Sequence, residues 1–186
     1  MENRTCAYCK GPLNLPRRGA KFCTQKCGTY FRRRANRSPH VPEALTGLKR
    51  WVRRSDDKVP LTVDGAAASS TNSRTWTDYE AAKSSSVGAG LGFVLNGDGI
   101  GVIDLDHAII DGVVLPWAAE VLAANPGTFT EVSQSGEGLH VWGLLSAGPG
   151  RKIRDGRNIE IYSKGRYVAL GTPLRGTTLD LLPLNL

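Results

Sequence analysis

The sequence predicts an α+β domain of mostly antiparallel strands, preceded by a small metal-binding module. Three observations support this. Strand-like runs separated by Gly-rich turns dominate residues 90–170, a few capped helical segments lie between them, and all four cysteines fall within the first 27 residues. Hydrophobic residues make up 40% of the 186 residues, enough for a core. No apolar run is long enough to cross a membrane, and the polar, basic N-terminus is not a signal peptide, so we expect no membrane partner.

The cysteines form two pairs, a C-x-x-C and a C-x-x-x-C, with 13 residues between them. This spacing predicts a tetrahedral, structural Zn²⁺ site, because four thiolates leave no open position on the ion. The ligands are Cys6, Cys9, Cys23 and Cys27. The alternative is a pair of disulfides in a secreted domain. We expect a zinc-binding module over residues 1–37, a linker with a helix over 38–50 and the main domain over 51–186. The helical pattern that begins at Glu43 extends to Arg54.

The positive charge is concentrated near the N-terminus. Residues 1–58 contain 15 Lys+Arg and 4 Asp+Glu, whereas residues 59–186 contain 9 Lys+Arg and 13 Asp+Glu. A predicted helix over residues 24–36 ends in an arginine cluster, which favours contact with nucleic acid. The alternative is ordinary solvated charge. The cluster comprises Arg32, Arg33, Arg34 and Arg37.

In the main domain, a capping box at Thr77 and Glu80 predicts a helix to about Lys83, and Pro116 opens a helix that ends near Ala124. Turn residues between apolar runs predict three hairpins. Their paired strands are residues 91–95 with 100–106, 128–133 with 139–145, and 158–162 with 166–170.

Two aspartates end the apolar strand over residues 100–106. Because strand side chains alternate, Asp104 and Asp106 point the same way, and their repulsion is relieved by a divalent cation. Carboxylate oxygens suit Mg²⁺ or Mn²⁺. His107 is a further candidate ligand or a structural residue. The alternative for the pair is two solvated surface acids.

The turn before His140 is rich in Ser and Gly and predicts a phosphate-binding site. Gly136 and Gly138 allow backbone N–H groups to turn inward, and Ser133 and Ser135 add hydroxyl donors. The alternative is an ordinary hairpin with a core-facing histidine.

A third carboxylate lies in the run Ile-Glu-Ile at Glu160. The isoleucines are expected to face the core, so Glu160 faces the other way and can join the aspartates on one sheet face. Lys164 and Arg166 follow and suit a triphosphate. The alternative is a solvated glutamate and solvated turn residues. Three carboxylates and a nucleoside triphosphate are nearly balanced by two divalent cations and a few basic groups.

These motifs resemble those of the primase/polymerase (prim-pol) domains of phage and plasmid replication proteins, in the archaeo-eukaryotic primase superfamily. The resemblance covers about residues 51–173. It includes Val-Ile-Asp-Leu-Asp-His at 102–107, the Ser133–His140 turn, Ile-Glu-Ile-Tyr at 159–162 and the segment that begins at Lys58. One departure is Gly-Thr at 171–172, where the family has Thr-Gly. A zinc module ahead of the domain is also unlike the most familiar members.

The resemblance implies an RRM-like catalytic sheet beside a smaller α/β part, with the nucleotide between them. By matching positions, Asp104, Asp106 and Glu160 would hold two Mg²⁺ or Mn²⁺ ions. His140 and Ser135 would meet the triphosphate, with Lys58 nearby. The implied activity is synthesis or extension of primers on single-stranded DNA in the host-cell cytoplasm. A separate replicative helicase is a candidate partner. Two alternatives stay open, a degenerate nucleic-acid-binding replication protein and a metal-dependent nuclease.

Overall fold

The computed structural model describes residues 5–6, 8–9, 11–13, 19–29 and 41–185. The chain divides into two compact units, Met1–His40 and Val41–Leu186. In the first unit, residues 25–29 are helical. The remainder of the helix predicted over 24–36 lies outside the described residues, and so does the arginine cluster at 32–34 and 37.

The second unit contains three short α-helices, α1 (Glu43–Thr46), α2 (Tyr79–Ser84) and α3 (Pro116–Ala124), and a 3₁₀ turn over Ser73–Thr75. Helix α3 begins at Pro116 as predicted, because the missing N–H of proline costs nothing in the first turn. Helix α2 is capped by Asp78, whose side chain accepts from the Ala81 N–H. The capping residue is therefore one position later than predicted. No helix among the described residues is long and apolar enough to cross a membrane.

Twelve strands are present in residues 41–185. They are β1 (Trp51–Arg54), β2 (Pro60–Leu61), β3 (Gly90–Asn96), β4 (Ile100–Leu105), β5 (Ile109–Ile110), β6 (Val113–Val114), β7 (Thr130–Val132), β8 (Leu139–Leu144), β9 (Arg151–Ile153), β10 (Ile159–Tyr162), β11 (Lys164–Ala169) and β12 (Thr172–Pro173). They form a four-stranded sheet of order β11-β3-β1-β2, a six-stranded sheet of order β12-β7-β8-β4-β10-β9, and the small pair β5-β6. The pairings between these strands are antiparallel, so the predicted α+β class with mostly antiparallel sheets is confirmed.

The two faces of the six-stranded sheet bury different cores. Val102 of β4 and Trp142 of β8 pack with Trp51 and Phe93 of the four-stranded sheet. Ile103 of β4 belongs to a second core on the other face, which also includes residues of α3. Strand alternation explains this division, because neighbouring residues of β4 point to opposite faces. Asp104 therefore lies on the same face as Val102, at the end of the core between the two sheets.

Two of the three predicted hairpins are wrong. Strands β3 and β4 flank the turn at 96–99 but belong to different sheets, and the consecutive strands β10 and β11 likewise belong to different sheets. The loop between β3 and β4 lies beside the loop between β10 and β11, and the Gly97 N–H donates to the Ser163 carbonyl at 2.8 Å. A turn motif does not specify which strands pair, and each of these strands pairs with strands from other parts of the chain. The hairpin of β7 and β8 is confirmed.

The helix predicted to run to Arg54 is also wrong beyond Thr46. Residues Trp51–Arg54 form β1, and all four are buried. The Arg53 guanidinium donates to the carbonyls of Val87 and Ala82, which satisfies a buried cation in the middle of a sheet. Tertiary contacts therefore override the helical pattern of this segment.

Candidate active site

Strand register places five charged or ionisable side chains in one row across the six-stranded sheet. Directly opposite residues of antiparallel strands share a face, so these side chains project from the same side. Glu160 thus shares the face of Asp104, as predicted. In strand order from β7 to β9 the row is Glu131, His140, Asp104, Glu160 and Lys152.

His140 lies between two carboxylates in this row. Its Nδ1 is 2.7 Å from Glu131 Oε1, and its Nε2 is 3.6 Å from Asp104 Oδ1. Trp142 Nε1 donates to the same Glu131 oxygen at 3.2 Å. Burial works to lower the pKa of His140, but the hydrogen bond and negative charge of Glu131, together with Asp104, raise the pKa above its usual value. A protonated, cationic His140 is therefore favoured.

Asp104 is the partly buried member of the aspartate pair, and Asp106 is exposed. Burial raises the pKa of Asp104, and the neighbouring carboxylates Asp106 and Glu160 raise it further, whereas His140 and Lys58 lower it in part. A carboxylate crowded by two others is stabilised by an added cation, so this pair fits a divalent ion.

Glu160 already has several partners. Its carboxylate accepts from Lys152 Nζ at 2.8 Å, from Arg154 and from Tyr162 Oη, and it lies 3.4 Å from Arg166. Burial works to raise the pKa of Glu160, but these donors lower it to about 2. Within the described residues, the three predicted carboxylate ligands do not form a group with the geometry to hold an ion.

A cleft of about 640 Å³ opens on this face of the sheet. Six of the predicted site residues line it, namely Lys58, Asp104, Asp106, Ser133, His140 and Arg166. Residues from β11 and from the loop at 68–70 line its other side. Lys164 instead lines a neighbouring depression of about 410 Å³, and His107 is exposed with its Nδ1 3.6 Å from Glu137. The cleft therefore combines carboxylates with cations, as a bound metal nucleotide requires.

The Ser/Gly turn is closed by its own hydrogen bonds. The Gly136 N–H donates to the Ser133 carbonyl at 3.0 Å, and the Gly138 N–H donates to Ser133 Oγ at 3.1 Å. The hydroxyls of Ser133 and Ser135 lie 3.1 Å apart. Gly136 has a φ of +84°, and a Cβ on Gly138 would lie 2.9 Å from the Leu105 carbonyl oxygen. Both glycines are thus required by the turn itself, and Ser133 and Gln134 are the residues of the turn that line the cleft.

The four cysteines form the one group among the described residues with the geometry to hold a metal ion. Their sulfur atoms all lie within 4.8 Å of one another, and they form no disulfide. Around a zinc ion with Zn–S distances of ~2.3 Å, tetrahedral sulfurs lie about 3.8 Å apart. Burial would raise the pKa of Cys6, but backbone N–H donors from Cys9 and Cys23 lower it to about 6, which favours a thiolate. The cluster fits a structural zinc.

The sequence-based prediction missed the partners of the predicted residues. Glu131 is fully buried against His140, and Lys152 and Arg154 reach Glu160. Glu131 could have been found, because the register of the correctly predicted β7–β8 hairpin places it opposite His140. Lys152 and Arg154 had no such signal, since β9 was not predicted.

The fold and the cleft define a class of protein, an α+β domain with acidic and basic side chains around a cleft of nucleotide size. The chain is similar to the DNA primase-polymerase of Nitratiruptor phage NrS-1, with 38% identity over 142 residues, which cover 69% of this chain and 20% of the relative. The chain thus spans about one fifth of the length of that relative. No protein-family model matches the chain. The resemblance to phage primase-polymerases is confirmed, and the enzyme class predicted from the motifs is the class of this homologue.

Proposed function

We propose that this chain is a DNA-dependent nucleotidyltransferase that makes or extends primers on single-stranded DNA in phage or plasmid replication. The observation that carries the proposal is that Asp104 and His140 line one cleft with Lys58 and Arg166, and that Glu160 projects from the same sheet face beside Asp104. A volume of about 640 Å³ suits a nucleotide. The name of the phage relative supports the same activity. In this proposal, the six-stranded sheet is the RRM-like catalytic sheet.

Asp104 and Asp106 would hold Mg²⁺ or Mn²⁺, with Glu160 as a third ligand. When bound, two such ions would activate a 3′-hydroxyl and stabilise the departing pyrophosphate. Glu160 would take part by exchanging some of its present partners, among which are Lys152 and Arg154. The aspartate pair is therefore the main support for the ions.

The triphosphate would be bound by His140, Ser133, Lys58 and Arg166, which all line the cleft. As an imidazolium, His140 would donate from Nε2 to the triphosphate while its Nδ1–H donates to Glu131. Ser135, Gly136 and Gly138 would act by shaping the turn that presents Ser133, and Lys164 would act from the neighbouring depression.

The zinc module would hold the template through its arginine cluster, so template binding should weaken steeply with salt. The arginines that would contact the template phosphates are Arg32, Arg33, Arg34 and Arg37. Single-stranded DNA, nucleoside triphosphates and a separate replicative helicase are the proposed partners. The proposed location is the cytoplasm of the phage host.

The test is incorporation of labelled nucleotide on a single-stranded template, with and without a primer, in Mg²⁺ and in Mn²⁺. We expect Asp104→Asn with Asp106→Asn to abolish incorporation and to leave template binding nearly intact. Asp180→Asn is the matched control, since Asp180 is exposed and does not line the cleft. Full activity of the double variant would refute the catalytic role.

A degenerate, nucleic-acid-binding replication protein is the second candidate, and one observation favours it. Glu160 is held by Lys152, Arg154 and Arg166 rather than standing open to an ion. Template binding without incorporation in either metal would support this candidate. Fragments of labelled single strands formed without nucleotides would instead support a nuclease.

A further inference from the structure

Glu131 is a fully buried carboxylate with no role in the ion or phosphate contacts proposed above. Burying a charged carboxylate carries a desolvation cost of several kcal/mol, and an apolar residue of similar size fills such a position more cheaply. A buried charge at this position therefore calls for a specific partner.

Within the described residues, the hydrogen bonds of the Glu131 side chain converge on one oxygen. Oε1 accepts from Trp142 Nε1 at 3.2 Å and faces His140 Nδ1 at 2.7 Å. Oε2 is buried without a hydrogen-bond partner in the described part of the chain. A carboxylate present only to accept hydrogen bonds from nearby polar groups would accept them at both oxygens, whereas the bonded oxygen of Glu131 is directed toward His140.

The Glu131 carboxylate, which also accepts from Trp142, sets the direction of the Glu131–His140 hydrogen bond, because a carboxylate only accepts. An indole N–H is a donor only, so the oxygen that it meets must be an acceptor. That same oxygen faces His140 Nδ1, so Nδ1 carries the proton and donates. His140 Nε2 is then the nitrogen turned toward the cleft. At 3.6 Å from Asp104 it is too far for a hydrogen bond and can reach a ligand.

We infer that Glu131 is a positioning residue that holds the His140 ring, with Nδ1 as donor, so that Nε2 faces the triphosphate. This rests on the proposed function of the cleft. Glu131 lies on β7 and Asp104 on β4, on either side of His140 on β8, so the ring is held between them. Histidine ligands of metals are oriented in a similar way by a carboxylate on the second ring nitrogen.

Two substitutions separate orientation from charge. Glu131→Leu removes the acceptor and frees the ring. Glu131→Gln removes the charge, but the Trp142 donor still selects the amide oxygen for the position of Oε1, so Nδ1 keeps its acceptor. We expect Glu131→Leu to weaken binding of ATP and dATP in the presence of Mg²⁺ by about 10- to 100-fold, the range found for comparable partners of metal-ligating histidines. Glu131→Gln should stay within a few-fold of wild type.

Isothermal titration calorimetry measures this affinity without turnover, below the unfolding transition of each variant. In a His140→Ala background, Glu131→Leu should add little further loss, because Glu131 acts through the ring. Wild-type affinity in Glu131→Leu would overturn the inference, and so would equal losses in the Gln and Leu variants or additive losses with His140→Ala.

Long-range ¹H–¹⁵N NMR of the His140 ring gives a readout that does not depend on nucleotide or activity. We expect a protonated Nδ1 in wild type and in Glu131→Gln, and a changed pattern in Glu131→Leu. An unprotonated Nδ1 in wild type would overturn the inference whatever the enzyme does. If Nδ1 is protonated but no nucleotide is incorporated, the proposed function fails and the positioning role stands.

Discussion

Gly92 lies in the middle of β3, where its neighbours are Val52 of β1 and Ala169 of β11. The ring of Tyr167 lies over it, and a Cβ at this position would be 1.9 Å from the ring atom Cε2. Ordinary contact begins at 3.4 Å, so in Gly92→Ala the ring must withdraw by about 1.5 Å. Tyr167 lines the cleft, so this movement alters the candidate site as well as the packing.

The expected cost of Gly92→Ala is about 1–3 kcal/mol, the usual penalty for overpacking. Without a clash, the same change would stabilise the protein by about 0.4–1 kcal/mol, because alanine restricts the unfolded chain. The sign of the change in the free energy of unfolding therefore shows whether the added Cβ clashes with Tyr167. Urea unfolding should show a lower midpoint with an unchanged slope.

Two variants test the steric reasoning for Gly92. Gly148→Ala is the matched control, since its Cβ would meet nothing nearer than 4.0 Å, and its stability should be no lower than that of wild type and up to about 1 kcal/mol higher. In a Tyr167→Ala background, the penalty for Gly92→Ala should disappear. Unchanged or higher stability of Gly92→Ala beside an intact Tyr167 would refute the reasoning, as would an equal penalty in both backgrounds.

Three further predictions concern the zinc cluster, a helix cap and the Ser/Gly turn. Atomic absorption should find about one zinc ion per molecule, since four thiolates fill the coordination positions of one tetrahedral ion. Cys27→Ser should reduce the amount of bound zinc. An unchanged zinc content in this variant would contradict the four-cysteine site. Asp78→Ala should cost about 1 kcal/mol in urea unfolding, because it removes the 2.8 Å bond to the Ala81 N–H, and Asp78→Asn should preserve most of it. Equal stability of those two variants would contradict the cap. Gly138→Ala should weaken binding of ATP and dATP in calorimetric titration, because its Cβ would lie 2.9 Å from Ser133 Oγ and displace that side chain; wild-type affinity would show that the turn does not present Ser133 to the nucleotide.

The features that the sequence predicted correctly are short-range. The start of α3 at Pro116 and the β7–β8 hairpin follow from residues a few positions apart. The shared face of Asp104 and Glu160 was also expected, because the alternation of β4 and β10 assigns each acidic residue to the side opposite its apolar neighbours.

The errors arise where strands choose distant partners. The turn at 96–99 is chemically a good hairpin turn, yet β3 pairs with β1 and β11, and β4 pairs with β8 and β10. In the same way, residues 51–54 fit a helix by local pattern but are buried as a strand between β2 and β3. Sheet pairing is decided by which surfaces are buried together, and no local pattern records it.

The sequence by itself determined three features. These are the cysteine spacing, the order of the acidic and Ser/Gly motifs, and the side of each strand that bears charge. They depend on the fixed geometry of turns and strands over a few residues. Only the tertiary structure decided that Glu131 holds His140, that Lys152 and Arg154 reach Glu160, and that the two sheets leave a cleft between them. Those contacts join residues brought together by packing, so their strength depends on burial and distance.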